Sequence, residues 1–295
     1  MTTPAPLAPP TRPLPPKPLA PPARPLPPKP APAAPAQAVP KKFGFDVLEQ
    51  AKAQSVGIFG PGGIGKTSLA CSAPGPVAVF DFDGSLPVLK KSLGTLDVRP
   101  VSGVSTWQDM RDALHDKSLW NGIGSIVIDS LTRAEQLCIE HVLKTIKTER
   151  GFTANSLEAY GWNKGYQFIF EEMLRLLGDL EEHKRNGRNF VLIMHDCTAG
   201  VPNPEGADFL RWEPRLQMRK DCNVRYAVKE HLDHLLCVRY DILVRDVNGK
   251  GKAEGSGTRT IYPVETPVHM AKSRSLRESF EYAEGSNDLW TKLFS

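Results

Sequence analysis

The first 42 residues contain no aspartate or glutamate. They do contain 17 of the 27 prolines and six basic residues, Arg12, Lys17, Arg24, Lys29, Lys41 and Lys42. Removing those six leaves 31 basic against 33 acidic residues, a net charge near −2. The overall +4 therefore belongs to the amino-terminal tail, and it is no evidence of a basic nucleic-acid-binding face on the folded part. Cysteine is also scarce. Cys71, Cys138, Cys197, Cys222 and Cys237 are odd in number and form no C-x-x-C pair, which excludes a disulfide framework and suits reduced cytosolic thiols. No uninterrupted apolar run approaches the ~18 residues of a membrane span, and no charged start leads into an apolar stretch. These absences predict a soluble protein of the cytoplasm with no membrane partner.

The tail carries a 12-residue repeat, TRPLPPKPLAPP at 11–22 and ARPLPPKPAPAA at 23–34. Proline fixes φ and removes the backbone donor, so this stretch favours polyproline II over helix or sheet. It also lacks the large apolar side chains that would offset chain ordering. Residues 1–42 are predicted to be a disordered, semi-rigid spacer ahead of one domain at 43–295. The RPLPPKP segments also hold P-x-x-P beside basic residues, the form of a ligand for a proline-reading partner.

From residue 43 the pattern is globular. Apolar strands are predicted at 55–59 (SVGIF), 77–82 (VAVFDF), 124–129 (GSIVID) and 189–195 (NFVLIMH), with later ones at 235–244 and 259–264. Helices are predicted from Lys66, over 106–116, and after Asp129, where Thr132-x-x-Glu135 has the form of a capping box. A long helix shows Tyr166, Ile169, Phe170, Met173, Leu177 and Leu180 on one face, with Glu171, Glu172 and Arg175 off it. Strands that are apolar throughout are buried on both faces. Interleaved with helices, they imply an α/β fold with a doubly wound, mainly parallel sheet.

Gly60-Pro61-Gly62-Gly63-Ile64-Gly65-Lys66-Thr67 matches G-x-x-x-x-G-K-[ST] at every fixed position, with a strand before it and a helix after. Glycines let successive N–H groups turn inward around phosphate oxygens, and the helix start, with Ser68 in its first turn, adds a favourable dipole. Lys66 supplies charge to the β- and γ-phosphates, and Thr67 offers a hydroxyl to Mg2+. Asp129 ends an apolar strand, where a carboxylate faces the ligand crevice and serves as the second magnesium-side group. ATP and Mg2+ are the predicted ligands.

Many P-loop ATPases place a catalytic Glu directly after the metal Asp. Here that residue is Ser130, so a water-activating acid must come from elsewhere. Asp81 and Asp83 in FDFDG are nearest in pattern. At this point the chain resembles the RecA-like ATPases, whose catalytic acid lies just past the second strand, two residues after an Asp. That resemblance implies Asp83 as the base, although Asp is one methylene shorter than the family's usual Glu. It implies His195, at the end of VLIMH, as a γ-phosphate sensor. It also implies Lys272 and Arg274 of AKSR as charges acting on a neighbouring subunit's ATP, the alternative being a solvated basic turn.

The order of LACSAPGPVAVFDFDGS, IVIDSLT, YGWNKGY, VLIMHD and AKSR resembles, more closely, the phage-encoded RecA-like ATPases linked to single-strand annealing and recombination. The likeness covers roughly residues 53–280. It implies a homo-oligomer, single-stranded DNA as partner, and a single-strand-binding or replication partner reached through the tail. The DNA would meet two long irregular loops, 147–164 with Arg150, Phe152, Tyr160, Trp162 and Lys164, and 196–229 with Arg211, Trp212, Arg215 and Arg219, where basic groups interleave with aromatics. A helicase-like or packaging motor shares the core, and a nucleotide-gated scaffold with a partner-recruiting tail is the non-DNA alternative. Cys222, His231, His234 and Cys237 have no zinc-finger spacing.

Overall fold

A computed structural model describes residue 44 and residues 52–247 and 250–294. The repeats of the tail and the expected disorder of 1–42 lie outside the described residues.

The first strand, β1 (Ser55–Gly60), is buried throughout and runs through the glycine loop into α1 (Lys66–Cys71). β2 (Val77–Asp81) leads to α2 (Leu86–Leu93), and a short β3 (Val98–Pro100) precedes α3 (Trp107–His115). β4 (Ser125–Asp129) feeds α4 (Leu131–Thr145), and a 3-10 turn at Leu157–Tyr160 leads into α5 (Lys164–Arg185). β5 (Asn189–Val201), β6 (Phe209–Pro214) and α6 (Val224–His231) follow. The chain closes with β7 (His234–Val247), β8 (Lys250–Tyr262), β9 (Lys272–Ser273), β10 (Phe280–Glu281) and α7 (Asp288–Phe294).

Six strands in the order β7-β1-β5-β4-β2-β3 pair in parallel. β8 and β10 extend the sheet antiparallel beyond β7. Alternate residues of the central strands enter two separate cores. Phe59, Phe80, Ile126 and Ile128 pack against α3, α4 and α5, while Ile58, Val79, Val127 and Ile193 pack against α1 and α7. That two-sided burial is why these strands read as continuous apolar runs.

Four local expectations need correction. The strand read as third is the fourth in the chain, because Val98–Pro100 is a half-exposed edge strand too short and polar to show a pattern. Residues 196–229 are not an irregular loop: β5 continues past His195 and pairs antiparallel with β6 from Asp196↔Pro214 to Val201↔Phe209, and α6 follows. The cap of α4 is Ser130, whose Oγ accepts from Arg133 N–H, so Thr132 and Glu135 are interior helical residues rather than a capping box. Glu172 of α5 is buried, not outward: it accepts from Trp107 Nε1 at 3.1 Å and pairs with Arg175. A carboxylate with two such partners can replace an apolar residue on an inner face.

Candidate active site

The glycine loop joins the carboxyl end of β1 to α1. Two of its glycines are required by sterics. A Cβ on Gly60 would lie 2.2 Å from the Val238 carbonyl oxygen of β7, and one on Gly65, at φ 97°, would lie 2.9 Å from Tyr282 Oη. The loop therefore sits tight against strand β7 on one side and the carboxyl-terminal segment on the other.

Lys66 is buried, and its ammonium donates to the carbonyls of Gly60 and Pro61, each at 2.8 Å. The charge is thus folded over the loop, where the outer phosphates of a nucleotide would lie. Burial lowers its pKa below the ordinary lysine value, opposed by the fields of Asp129, Asp196 and Asp83. Thr67 Oγ1 donates to Asp129 Oδ2 at 2.6 Å, and Ser85 Oγ donates to the same oxygen at 3.1 Å. Burial raises the Asp129 pKa, hydrogen bonds from Thr67 and Ser85 oppose this, and Asp83 and Asp81 add to it. A divalent cation at Asp129 and Thr67 would reverse that upward push. Among the described residues no three His, Cys, Asp or Glu side chains gather as a metal cage. A single carboxylate and a hydroxyl suit magnesium, which keeps water and phosphate as its other ligands.

The two acids of FDFDG have separate jobs. Asp81 accepts from the N–H groups of Ser85 (2.8 Å) and Leu86 (3.0 Å), so it caps α2. Asp83 is freed for the pocket, and its Oδ2 lies 3.2 Å from His195 Nε2. The His195 N–H donates to Thr132 Oγ1 at 3.1 Å, and its carbonyl accepts from Arg215 N–H at 2.8 Å. One cavity of about 490 Å3 collects Gly62, Gly63, Gly65, Lys66, Thr67, Ser68, Asp83, Ser85, Asp129 and His195.

Several residues of this pocket have no motif in the sequence. Arg259 of β8 lines it, with Nη1 donating to the Ile64 carbonyl at 3.1 Å and Nη2 3.4 Å from Glu284. Tyr282 Oη donates to the Gly65 carbonyl at 2.9 Å. Ser85 was in plain view two residues after Asp83. Arg259 and Tyr282 could be found only from the strand order, which returns β8 beside β7 and β10 beside β8.

Other expected site residues lie elsewhere. Lys272 and Arg274 follow from β9, which pairs with His234 and Leu235 at the start of β7, the end of the sheet opposite the glycine loop. Lys272 Nζ donates to the carbonyls of Lys229 (3.0 Å) and Glu230 (2.7 Å), and Arg274 Nε pairs with Asp233 at 3.1 Å. Neither reaches its own chain's phosphate pocket. Arg211 does not face solvent as a DNA contact should: it is 6% exposed and held by Glu213 and Glu265. Trp212 is half-buried with the Arg239 guanidinium 3.7 Å over its ring. As successive residues of β6 they point to opposite faces, Arg211 to the Glu213 and Glu265 carboxylates and Trp212 to the Arg239 guanidinium, so neither side chain is free. Arg215 and Arg219 are exposed, Arg219 stacking on Tyr166 at 4.2 Å, and Trp162 is 96% exposed. Cys237 lies in the core, and His234 binds Ser273 and Gln54, so the Cys/His group does not converge.

A parallel sheet with a phosphate-cradling loop at the carboxyl end of a central strand, and Asp129 at the end of another, defines a P-loop nucleotide-binding ATPase domain. The family model described as AAA domain matches residues 52–275, and the chain belongs to that family. No curated protein matches it. Among the described residues no helix is long and apolar enough to cross a membrane.

Proposed function

We propose that this chain is a RecA-like, magnesium-dependent ATPase of phage type that acts on single-stranded DNA in recombination or strand annealing. The observation that carries it is the Asp83–His195 pair, 3.2 Å apart in the cavity that holds Lys66, Thr67 and Asp129. It would supply, from the turn after β2, the acid that is missing after Asp129, with His195 of β5 beside it.

In this reading the loop amides and Lys66 hold the triphosphate. Thr67 and Asp129 would hold Mg2+, which would neutralise charge on the outer phosphates. Asp83 accepts a hydrogen bond from the attacking water and takes its proton. His195 positions Asp83 and senses the terminal phosphate. Hydrolysis breaks the bond between the β–γ bridging oxygen and the γ-phosphorus, and Lys66 stabilises the charge that develops there.

Support for DNA comes from the exposed Trp162, Phe152, Arg215 and Arg219, which offer stacking faces and cations on one chain. Lys272 and Arg274, remote from their own pocket, fit a role against a neighbouring copy in an oligomer. The tail would recruit a single-strand-binding or replication partner. A reducing cytoplasm, the host's if phage-encoded, would keep the five free thiols reduced.

The test is ATP hydrolysis with and without single-stranded DNA over a salt series. DNA should stimulate turnover, and its affinity should fall steeply with salt through counterion release. Turnover indifferent to DNA, with no strand bound at low salt, would reject the DNA reading and favour the scaffold alternative.

A further inference from the structure

Asp83 and His195 line two cavities, not one. On one side is the phosphate pocket. On the other is a cavity of about 270 Å3, walled also by Thr132, Arg133, Glu135, Gln136, Arg215 and Leu216. At ~30 Å3 per water, it has room for a hydrated phosphate group.

The two arginines of this second cavity have no carboxylate partner among the described residues. Arg211, Arg225 and Arg239, which belong to the same region, are all paired. Arg133 also stands in the first turn of α4, where the helix dipole disfavours a cation. A bound anion would answer both the dipole and the unpaired charges. Guanidinium groups match the oxygens of a phosphate in a planar, two-pronged geometry. Gln136 adds amide donors, and Glu135 is the wall's one opposing acid beyond Asp83. Glu135 is engaged by Gln217 N–H at 2.8 Å and raised by burial to about 7, which reduces its charge near neutrality.

We propose that this second cavity is a phosphate-oxyanion site in which Arg133 and Arg215 bind a phosphate group behind the Asp83–His195 pair. The proposal rests on the hydrolytic reading of the first pocket. The group would come either from the backbone of a single DNA strand or from the orthophosphate cut from the nucleotide. Either occupant would be mechanically linked to the reaction. Arg215 N–H holds the His195 carbonyl, and Thr132, next to Arg133, holds the His195 N–H.

The experiment compares the full chain with R133Q/R215Q and R133K/R215K. The probes are an oligo(dT) strand over a salt series and inorganic phosphate added to DNA-free ATP hydrolysis. If the strand supplies the group, the glutamine pair should weaken dT binding about tenfold. It should also flatten the log–log salt slope by about 0.7, the contribution of one single-strand phosphate, and the lysine pair should recover most of the slope. If orthophosphate supplies it, the inhibition constant for added phosphate should rise about tenfold while dT binding stays put. A third readout does not depend on turnover. In a Lys66→Ala background, the 31P resonance of inorganic phosphate should be broadened by the protein and sharpen again when both arginines become glutamine. Equal broadening with and without the arginines, together with unmoved dT and phosphate constants, overturns the site. Loss of the hydrolytic reading alone would instead show as no ATP turnover in the unmutated chain, with the arginine-dependent broadening intact.

Discussion

Lys66 and Thr67 of α1 meet Asp129 of β4 in one pocket, and single side chains in and around it have losses with distinct signatures. Lys66→Ala removes the buried ammonium that bridges the Gly60 and Pro61 carbonyls. Calorimetry should find tight ATP binding abolished, and a retained micromolar affinity would sink the phosphate-loop assignment. Asp83→Asn keeps the shape and an acceptor beside His195 but loses the base. Turnover should fall about 10²-fold or more while ATP affinity holds; unchanged turnover would remove Asp83 from that role. Glu135 gives a pH effect with a definite sign. Burial raises its pKa from 4.5 to about 7, against the backbone hydrogen bond from Gln217 and the charge of Arg225. The folded state thus holds a proton that the unfolded chain releases above its ordinary pKa, so stability falls as pH rises between about 4.5 and 7. The whole effect is on the order of 3 kcal/mol. Glu135→Gln keeps an acceptor for Gln217 and removes the titration. Its denaturation midpoint should exceed the parent's at pH 8 and approach it at pH 5. An offset that does not change with pH would contradict this account.

Elements carry the next level of control. The FDFDG turn divides two acids between a helix cap and the phosphate-loop pocket because Ser85 and Leu86, at the start of α2, lie four and five residues after Asp81, within reach of its carboxylate. The carboxyl-terminal α7 acts on the phosphate loop's helix from behind. Trp290 is 3% exposed, and its Nε1 donates to the Leu69 carbonyl at 2.9 Å and lies 3.1 Å from Ser72 Oγ, at the last turn of α1. Trp290→Ala should cost roughly 3–5 kcal/mol of stability from the cavity and lost packing. Chemical denaturation measures it, and a loss below about 1 kcal/mol would mean that α7 is not part of the cooperative unit. The β5–β6 hairpin marks where pattern reading failed. Its tip and outer face alternate with charged and small residues, so they carry no apolar run. Only pairing with β5 makes 209–214 a strand.

At the scale of the whole molecule, the tail and the ATPase domain differ in composition so sharply that they should be separable. The proline-rich spacer reading predicts that deleting residues 1–42 leaves ATP turnover within about twofold of the full chain, since stability changes remote from a site are small. A steady-state assay on the truncated protein decides it, and lost activity would contradict the spacer. The fold class was legible because two-sided burial writes itself into sequence as unbroken apolar strands. The glycine loop was legible because phosphate binding needs fixed residue types at fixed spacing. Asp129 was legible as the acid ending one such strand, and the family resemblance named Asp83 and His195, which the fold brings within 3.2 Å of each other.

The sequence by itself therefore determined the α/β class, the phosphate loop and the acids at strand ends, since each depends on neighbours within a few residues. Only the tertiary structure decided which acids and arginines are free to act. Asp81 is spent on a helix cap, and Arg211 is spent on Glu213 and Glu265. Arg259 and Tyr282 reach the loop from 195 and 217 residues away. The physical reason is that availability depends on partners. Partners are set by strand order and by which face of a strand or helix meets the core, and neither is encoded in local spacing.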